Sequence, residues 1–396
     1  MTTSCFIEVD HYQVGKHSEP VSGDAFLSQK VGDRDRVISV LADGLGSGIK
    51  ASVLATLTSS MALKFVSVDT DIEKTAGIMM DILPVCSERR IGYSTFTIVD
   101  IDSAGDTRII EHDNPPFMLI RNGRLAEVRK TTIDLGCREG VPGERQLSSA
   151  HLRCRFGDRI VFFSDGVNQS GMGRPNMPLG WGTDEVGLFV TEEVGRNPHI
   201  SARDLARRVV ERAVANDEHA SKDDTTCGVI YFRRPRRLLV VTGPPFSKRN
   251  DSLMASTLEG FQGRKAVCGG TTARIISREL KREVTLDLAN VSGDIPPGST
   301  MPGIDLVTEG TITLAKVAEL LEQGRKPEDL PRNPATAMVS HLLNSDVIHF
   351  LVGTRINEAH QDPNVPVDLD IRRNIVKKVR DLLDSRYLKE TELTFI

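Results

Sequence analysis

Four short acidic segments carry the residues whose type and spacing could do chemistry. In VISVLADGLGSG (37–48) a run of β-formers, Val37, Ile38, Val40 and Leu41, ends at Asp43 and is followed by Gly44, Gly46, Ser47 and Gly48. RIVFFSDG (159–166) repeats that grammar: an apolar strand, then Asp165 and Gly166. Ser22-Gly23-Asp24 places a third acid at a strand edge, and Ser221-Lys222-Asp223-Asp224 puts a pair just before another strand. A carboxylate at the mouth of a buried strand is costly unless it is paired or binds a cation. Adjacent aspartates repel each other unless a cation sits between or beside them. Each segment alone also reads as a turn carboxylate, Asp24 in particular. Taken together they form an all-oxygen donor set without His or Cys, which suits Mg²⁺ or Mn²⁺ better than zinc. Two such ions bridged by a water would supply a hydroxide nucleophile at neutral pH and clamp the oxygens of an in-line phosphoryl displacement. Asp43 is the candidate bridge between the two ions, with the Gly44 carbonyl completing the shell.

The elements that must position these acids are mostly strands. Cys5–Gln13 and Asp24–Gln29 read as strands around the loop Val14–Gly23. After the Asp43 turn, Val53, Leu54, Leu57, Met61 and Phe65 mark one face of an amphipathic helix over Ile49–Val66, and a second helix is expected over Thr70–Glu88, with Pro84 blurring its end. Strands then follow at Ser94–Asp102, Thr107–His112, Phe117–Ile120, Leu125–Thr131, Gln146–Phe156 and Arg159–Ser164. Turn signals such as Asn122-Gly123 between them argue for antiparallel hairpins. Gly171–Gly180 reads as a loop near the second acid. Ser201–Asn216 is a Ser-capped helix leading to Asp223-Asp224 and the strand Thr225–Phe232. Two antiparallel sheets packed as a sandwich can bring such strand ends to one edge.

The ordered segments SGDAF (22–26), ADGLGSG (42–48), STFTIVDID (94–102), FGDRIVFFSDGV (156–167) and KDDTTCGVIYF (222–232) resemble the metal-dependent protein serine/threonine phosphatases, specifically the bacterial branch typified by stage II sporulation protein E. The resemblance spans roughly residues 1–233. It implies an α+β fold, a four-layer αββα sandwich, and hydrolysis of phosphoserine or phosphothreonine on a protein with two divalent cations, Mn²⁺ or Mg²⁺. Carried over by motif, Asp43 bridges both metals and Gly44 offers its carbonyl. Asp165 and Asp223 hold one metal, and Asp24 acts on the other, directly or through water. Kinship also implies a phosphorylated regulatory protein as partner, of the anti-anti-sigma type. Two features depart from the pattern. No arginine precedes Asp24 to hold the phosphate, so Lys16, with His17 beside it, is the nearest basic candidate. EHDNPPFMLIRNG (111–123) only approximates the family's Gly-His-x-Pro-Pro segment, and His112 and Asn114 are expected to stabilise a turn near the site.

Beyond a short linker at 234–237, residues 238–396 alternate strand and helix, which predicts a smaller α/β domain with a parallel or mixed sheet. Cys268-Gly269-Gly270-Thr271-Thr272 joins a strand to a helix there. Gly269, Gly270, Thr271 and Thr272 form either a tight turn with a Thr cap or an anion site on helix N–H groups. Asp305 and Glu309 flank another strand end. This second domain is expected to regulate or recruit.

The 396 residues carry a net charge of −4 with 26% charged side chains, which gives no electrostatic argument for nucleic acid or a membrane surface. Neither an apolar run of membrane-spanning length nor a secretory leader is visible, and the six scattered cysteines read as reduced thiols in a cytoplasm. Two other functions compete with the phosphatase. One is a catalytically silent scaffold on the same fold; the other is a nucleotide or small-anion sensor in the second domain.

Overall fold

The computed structural model describes residues 5–17, 19–31, 36–68, 72–82, 94–136, 146–286, 296–324, 330–355, 368–387 and 389–396. Two compact units divide the chain, Met1–Arg234 and Pro235–Ile396.

In the first unit the strands β1 (Phe6–Val14), β2 (Asp24–Val31) and β3 (Arg36–Gly44) precede the helices α1 (Gly48–Ser67) and α2 (Ile72–Ile82). Next come β4 (Ser94–Asp102), β5 (Asp106–His112), β6 (Met118–Arg121), β7 (Arg124–Ala126), β8 (Lys130–Asp134), β9 (Gln146–Arg153) and β10 (Arg159–Phe163). The one-turn helix α3 (Asp165–Asn168), then α4 (Thr183–Arg196), α5 (Ala202–Asn216) and β11 (Thr225–Arg233) complete it. One sheet has six strands in the order β2-β3-β4-β5-β9-β8, and the other has five in the order β1-β11-β10-β6-β7. Every pairing in both is antiparallel.

Side-chain alternation along the central strands builds four layers. Val37 and Leu41 of β3 face Phe162, Ile160 and Ile230 of the other sheet, while Ile38, Val40 and Ala42 face Ala55, Ala62 and Val66 of α1. Because both faces of β3 are covered, it reads as a near-continuous apolar run, interrupted by the buried Ser39, although the sheet is antiparallel. On the far side, Val161, Phe163 and Val229 pack under Val190 of α4 and Leu205 and Val209 of α5. The expected αββα sandwich is therefore the architecture of this unit.

Several elements differ from the sequence reading. The face of α1 that packs inward combines Leu54 and Val66 with the small residues Ala51, Ala55, Thr58 and Ala62, and Met61 and Phe65 pack against it in part, whereas Val53 is 59% and Leu57 45% exposed. The cause is close approach: a Cβ on Gly44 would stand 2.1 Å from the Ala51 carbonyl oxygen, so the helix backbone lies directly on the strand ends and only small residues fit between. Length and apolar composition would let α1 cross a membrane, yet that inward face belongs to the core of the sandwich. Leu125–Thr131 is two strands in different sheets, because the Asn122-Gly123 turn, with both φ positive, folds β7 back on β6 while β8 pairs with β9. Between Gly180 and Ser201 the helix α4 was not anticipated; its inward face is little more than Val186, Val190 and Val194, a weak apolar signal among charged neighbours. Of the second expected helix, residues 70–71 and 83–88, with Pro84, lie outside the described residues, as do Cys86 and Cys137. Cys154, Cys227 and Cys268 are buried free thiols.

A gap in β11 locks the two sheets together. Gly228 stands in register between Phe162 and His11 on the flanking strands, and Phe26 from the opposite sheet fills the space a side chain would take. The Phe26 ring stacks on His11 at 4.4 Å and on Phe162 at 6.0 Å between centroids. A Cβ on Gly228 would come within 2.6 Å of Phe26, so Gly228→Ala should cost about 2 kcal/mol by overpacking. Urea unfolding checks this through a lower midpoint at unchanged slope.

The second unit contains β12 (Arg237–Thr242), α6 (Asp251–Gly260), β13 (Arg264–Cys268), α7 (Gly270–Leu280), β14 (Thr285–Leu286), β15 (Ser299–Met301) and β16 (Ile304–Thr308). After them come α8 (Thr311–Gln323), α9 (Pro334–Leu343), β17 (Val347–Val352), α10 (Asp368–Arg386) and β18 (Glu390–Phe395). Its sheet runs β14-β15-β16-β13-β12-β17-β18, parallel from β16 to β18 with the antiparallel β14 and β15 at one edge. Helices α6 and α7 cover one face, and α8, α9 and α10 the other. The sheet is thus mixed and doubly wound. Helix α9 was missed because its start is set by a capping box, Asn333 with Thr336, rather than by a strong apolar period.

Candidate metal centre

Each acid of the sequence reading sits at a strand terminus or within two residues of one. Asp24 opens β2 and Asp43 nearly closes β3, and the two are direct partners across the antiparallel ladder, so their side chains emerge together. From the other sheet, Asp165 follows the end of β10 by two residues and starts α3, so the Asp-Gly turn expected after the strand is one turn of helix. Asp223 lies two residues before β11, which pairs with β10. The six-stranded sheet thus supplies two carboxylates and the five-stranded sheet the other two.

Their electrostatics show that they converge. Burial pushes the Asp43 carboxyl up to about 9, helped by the negative charges of Asp24, Asp165, Asp223 and Asp224. Asp24 is held at about 7, again chiefly by burial, although the Ser164 and Thr226 hydroxyls act in the opposite direction. Asp165 is raised by burial and then by Asp223. In the absence of a cation, this edge of the sandwich resists ionisation.

The hydrogen bonds leave part of the cluster unsatisfied. Oδ2 of Asp24 accepts from Ser164 Oγ at 2.7 Å and Thr226 Oγ1 at 2.6 Å, whereas Oδ1 is buried with no partner. An unpaired carboxylate oxygen in a residue only 6% exposed is costly in protein alone and fits a cation or its water. Asp165 Oδ2 accepts from Gln169 Nε2. Backbone groups are fixed too: the Asp43 carbonyl accepts from Ser94 Oγ at 2.9 Å, and the Gly44 N–H donates to the Gly23 carbonyl at 3.0 Å. Among the described residues no trio of His, Cys, Asp and Glu closes into a ready-made metal cage. Hard oxygen donors, mutual repulsion and an orphaned buried oxygen nonetheless make Asp24, Asp43, Asp165, Asp223 and the Gly44 carbonyl a fitting set for divalent cations.

Other residues singled out from sequence have different surroundings. The backbone N–H of Lys16 donates to Asp224 Oδ1. Asn114 accepts from Thr95 Oγ1 and donates to Thr97 Oγ1, and His112 Nδ1 lies 3.3 Å from the Gln146 carbonyl. Both secure the turn after β5, where Asp113 has φ +55°. In the second unit Gly269, with φ +118°, caps α7, Gly270 begins it, and Thr272 is buried. The Glu309 carboxylate lies against Gly270, 3.5 Å from where its Cβ would be, so the chain places its own anion at that helix end. Asp305 Oδ2 accepts from the Lys265 N–H. Residues to which the sequence reading gave no role of their own are Ser164, Thr226 and Gly166. Their only signal was polar or small character beside the ends of apolar strands.

The sequence profile of the stage II sporulation protein E (SpoIIE) family matches residues 33–233, just over half of the chain. No curated protein matches. Among solved structures, the phosphatase domain of the cell fate determinant SpoIIE from Bacillus subtilis is similar at 16% identity and a TM-score of 0.43, over 59% of this chain and 95% of that one. The RsbU and RsbW domains of a Mycobacterium tuberculosis protein give 18% and 0.44, over 65% and 68%. The catalytic domain of the serine threonine protein phosphatase PstP, in complex with two manganese ions, gives 16% and 0.38, over 58% and 100%. Through the profile match across its sandwich unit, this chain belongs to the stage II sporulation protein E family.

Proposed function

We propose that residues 1–233 form a protein serine/threonine phosphatase that uses two divalent cations, Mn²⁺ or Mg²⁺, to hydrolyse phosphoserine or phosphothreonine on a regulatory protein. The observation that carries this reading is the convergence of Asp24, Asp43, Asp165 and Asp223 from two sheets onto one edge, with one oxygen of Asp24 buried and unpartnered. Asp43 would be shared between the two cations with the Gly44 carbonyl beside it, Asp165 and Asp223 would serve one cation, and Asp24 would serve the other. When bound, the cations acidify a water and neutralise the charge of the phosphoryl group. The chain's own contribution is to hold the carboxylates in position. Ser164 and Thr226 orient Asp24, Gln169 steadies Asp165, and Ser94 fixes the Asp43 peptide. Lys16 is the candidate contact for the substrate phosphate. A small phosphoprotein of the anti-anti-sigma type fits the family, and a cytoplasmic setting fits the free thiols. The unit from Pro235 onward regulates or recruits.

Hydrolysis of a phosphoserine peptide and of p-nitrophenyl phosphate, with and without Mn²⁺, tests the reading. Activity indifferent to metal sinks it. A second expectation needs no substrate. If cations neutralise mutually repelling carboxylates, Mn²⁺ at about 100 times its Kd should stabilise EDTA-treated protein by about 2.7 kcal/mol, which is ~5 °C or more in Tm. A thermal-shift titration reads this directly.

A further inference from the structure

The cluster holds a fifth acid to which the phosphatase reading gives no task. Asp224 is 4% exposed, and both of its oxygens are engaged by backbone N–H groups of the β1–β2 loop: Oδ1 by Lys16 at 3.0 Å and Oδ2 by Gly23 at 2.7 Å. The Ser221 carbonyl adds a third tie by accepting from the His17 N–H at 3.0 Å. These bonds cross from the segment before β11, in one sheet, to the loop that enters β2, in the other.

Asp224 reaches all four carboxylate-bearing segments. It follows Asp223 in the chain. The Gly23 peptide, whose N–H it binds, directly precedes Asp24, and the carbonyl of Gly23 accepts from the Gly44 N–H, so one residue links Asp224 to the Asp43-Gly44 turn. The Asp165-Gly166 turn backs onto it as well, since a Cβ on Gly166 would lie 2.1 Å from the Asp224 carbonyl oxygen. Glycine leaves room for the carboxylate at position 23, where a Cβ would come within 3.0 Å of Oδ2. The four candidate ligands are divided equally between two sheets and repel one another, so their spacing requires a tie across the gap. A carboxylate accepting two N–H bonds supplies one, and such charge-assisted bonds are stronger than neutral ones.

Resting on the metal-centre reading above, we propose that Asp224 is a positioning residue. It takes no cation itself; it clamps the β1–β2 loop and so sets the distance between the Asp24–Asp43 pair and the Asp165–Asp223 pair. Asparagine is a poor substitute, because its amide offers one acceptor and turns an N–H toward a second N–H.

The test uses the full chain, with Mn²⁺ titrated against thermal unfolding and against p-nitrophenyl phosphate hydrolysis, for wild type, Asp224→Asn, Gly23→Ala and Asp223→Asn. For Asp224→Asn the Mn²⁺ midpoint should rise about tenfold in both titrations while kcat at saturating Mn²⁺ stays within about threefold of wild type. Gly23→Ala, whose Cβ would stand 3.0 Å from Asp224 Oδ2 and 3.0 Å from the Ala51 Cβ, should give the same split in milder form and decides the matter if Asp224→Asn does not fold. A collapse of kcat at saturating Mn²⁺ matching that of Asp223→Asn would make Asp224 a ligand and overturn the proposal, and an unchanged Mn²⁺ midpoint would do so too. Wild-type protein that Mn²⁺ fails to stabilise removes both the metal centre and the clamp. Stabilisation without hydrolysis removes the phosphatase alone.

Discussion

Asp43→Asn should lower kcat/KM for a phosphoserine peptide by about a thousandfold and, in EDTA, raise Tm by ~3–6 °C at pH 8. Both effects come from one carboxylate. Asp43 is half-buried beside Asp24, Asp165, Asp223 and Asp224, and burial first, then their charges, push it up to about 9. A carboxyl raised in the folded state is still protonated there at pH values where the unfolded chain has released the proton. Metal-free stability therefore falls as pH climbs from the ordinary carboxylate range toward 9, and a neutral side chain escapes that loss. With Mn²⁺ present the order reverses, because wild type regains its counter-charge and the variant has lost the candidate bridge. Steady-state kinetics and paired melts with EDTA and Mn²⁺ measure both signs. A variant that is slow but no more stable without metal would show that Asp43 is not a strained site acid.

Gly44→Ala carries the second large effect. Its Cβ would meet the Ala51 carbonyl oxygen at 2.1 Å and the Ala51 Cα at 3.0 Å, and backbone cannot turn aside as a side chain can. Either α1 lifts from the sheet or the Asp43-Gly44 turn moves, and the Gly44 carbonyl offered to metal moves with it. The expected cost is about 3 kcal/mol, at the upper end of overpacking, with at least about a hundredfold loss of activity. Gly46→Ala is the comparison. A Cβ there meets nothing within 4 Å, so only its φ of +107° is strained. That strain costs about 1–2 kcal/mol and should leave most of the activity. Chemical denaturation alongside Mn²⁺-dependent hydrolysis separates the two variants. Equal losses at both positions would mean that flexibility of the turn, rather than close approach, is what glycine supplies.

The sequence alone determined the candidate acids and most of the sandwich. Strand-ending Asp-Gly pairs are legible because an apolar run and a following acid are both local, and the Asn122-Gly123 turn is legible because its φ values demand those residues. Antiparallel pairing followed from short connections. The inward face of α1 could not be read locally. Hydrophobicity pointed to Leu54, which is buried, but also to Val53 and Leu57, which are not. Contact distance to the sheet selected Ala51, Ala55 and Ala62 as well, and that distance belongs to the packed pair of elements. Adjacent Asp223 and Asp224 look alike in a chain of letters. Only the tertiary structure separates them, because the strand register and the loop from β1 bring two N–H groups to one carboxylate and leave the other beside Asp165. Long-range geometry of this kind arises from residues some two hundred positions apart, and no local pattern in the sequence encodes it.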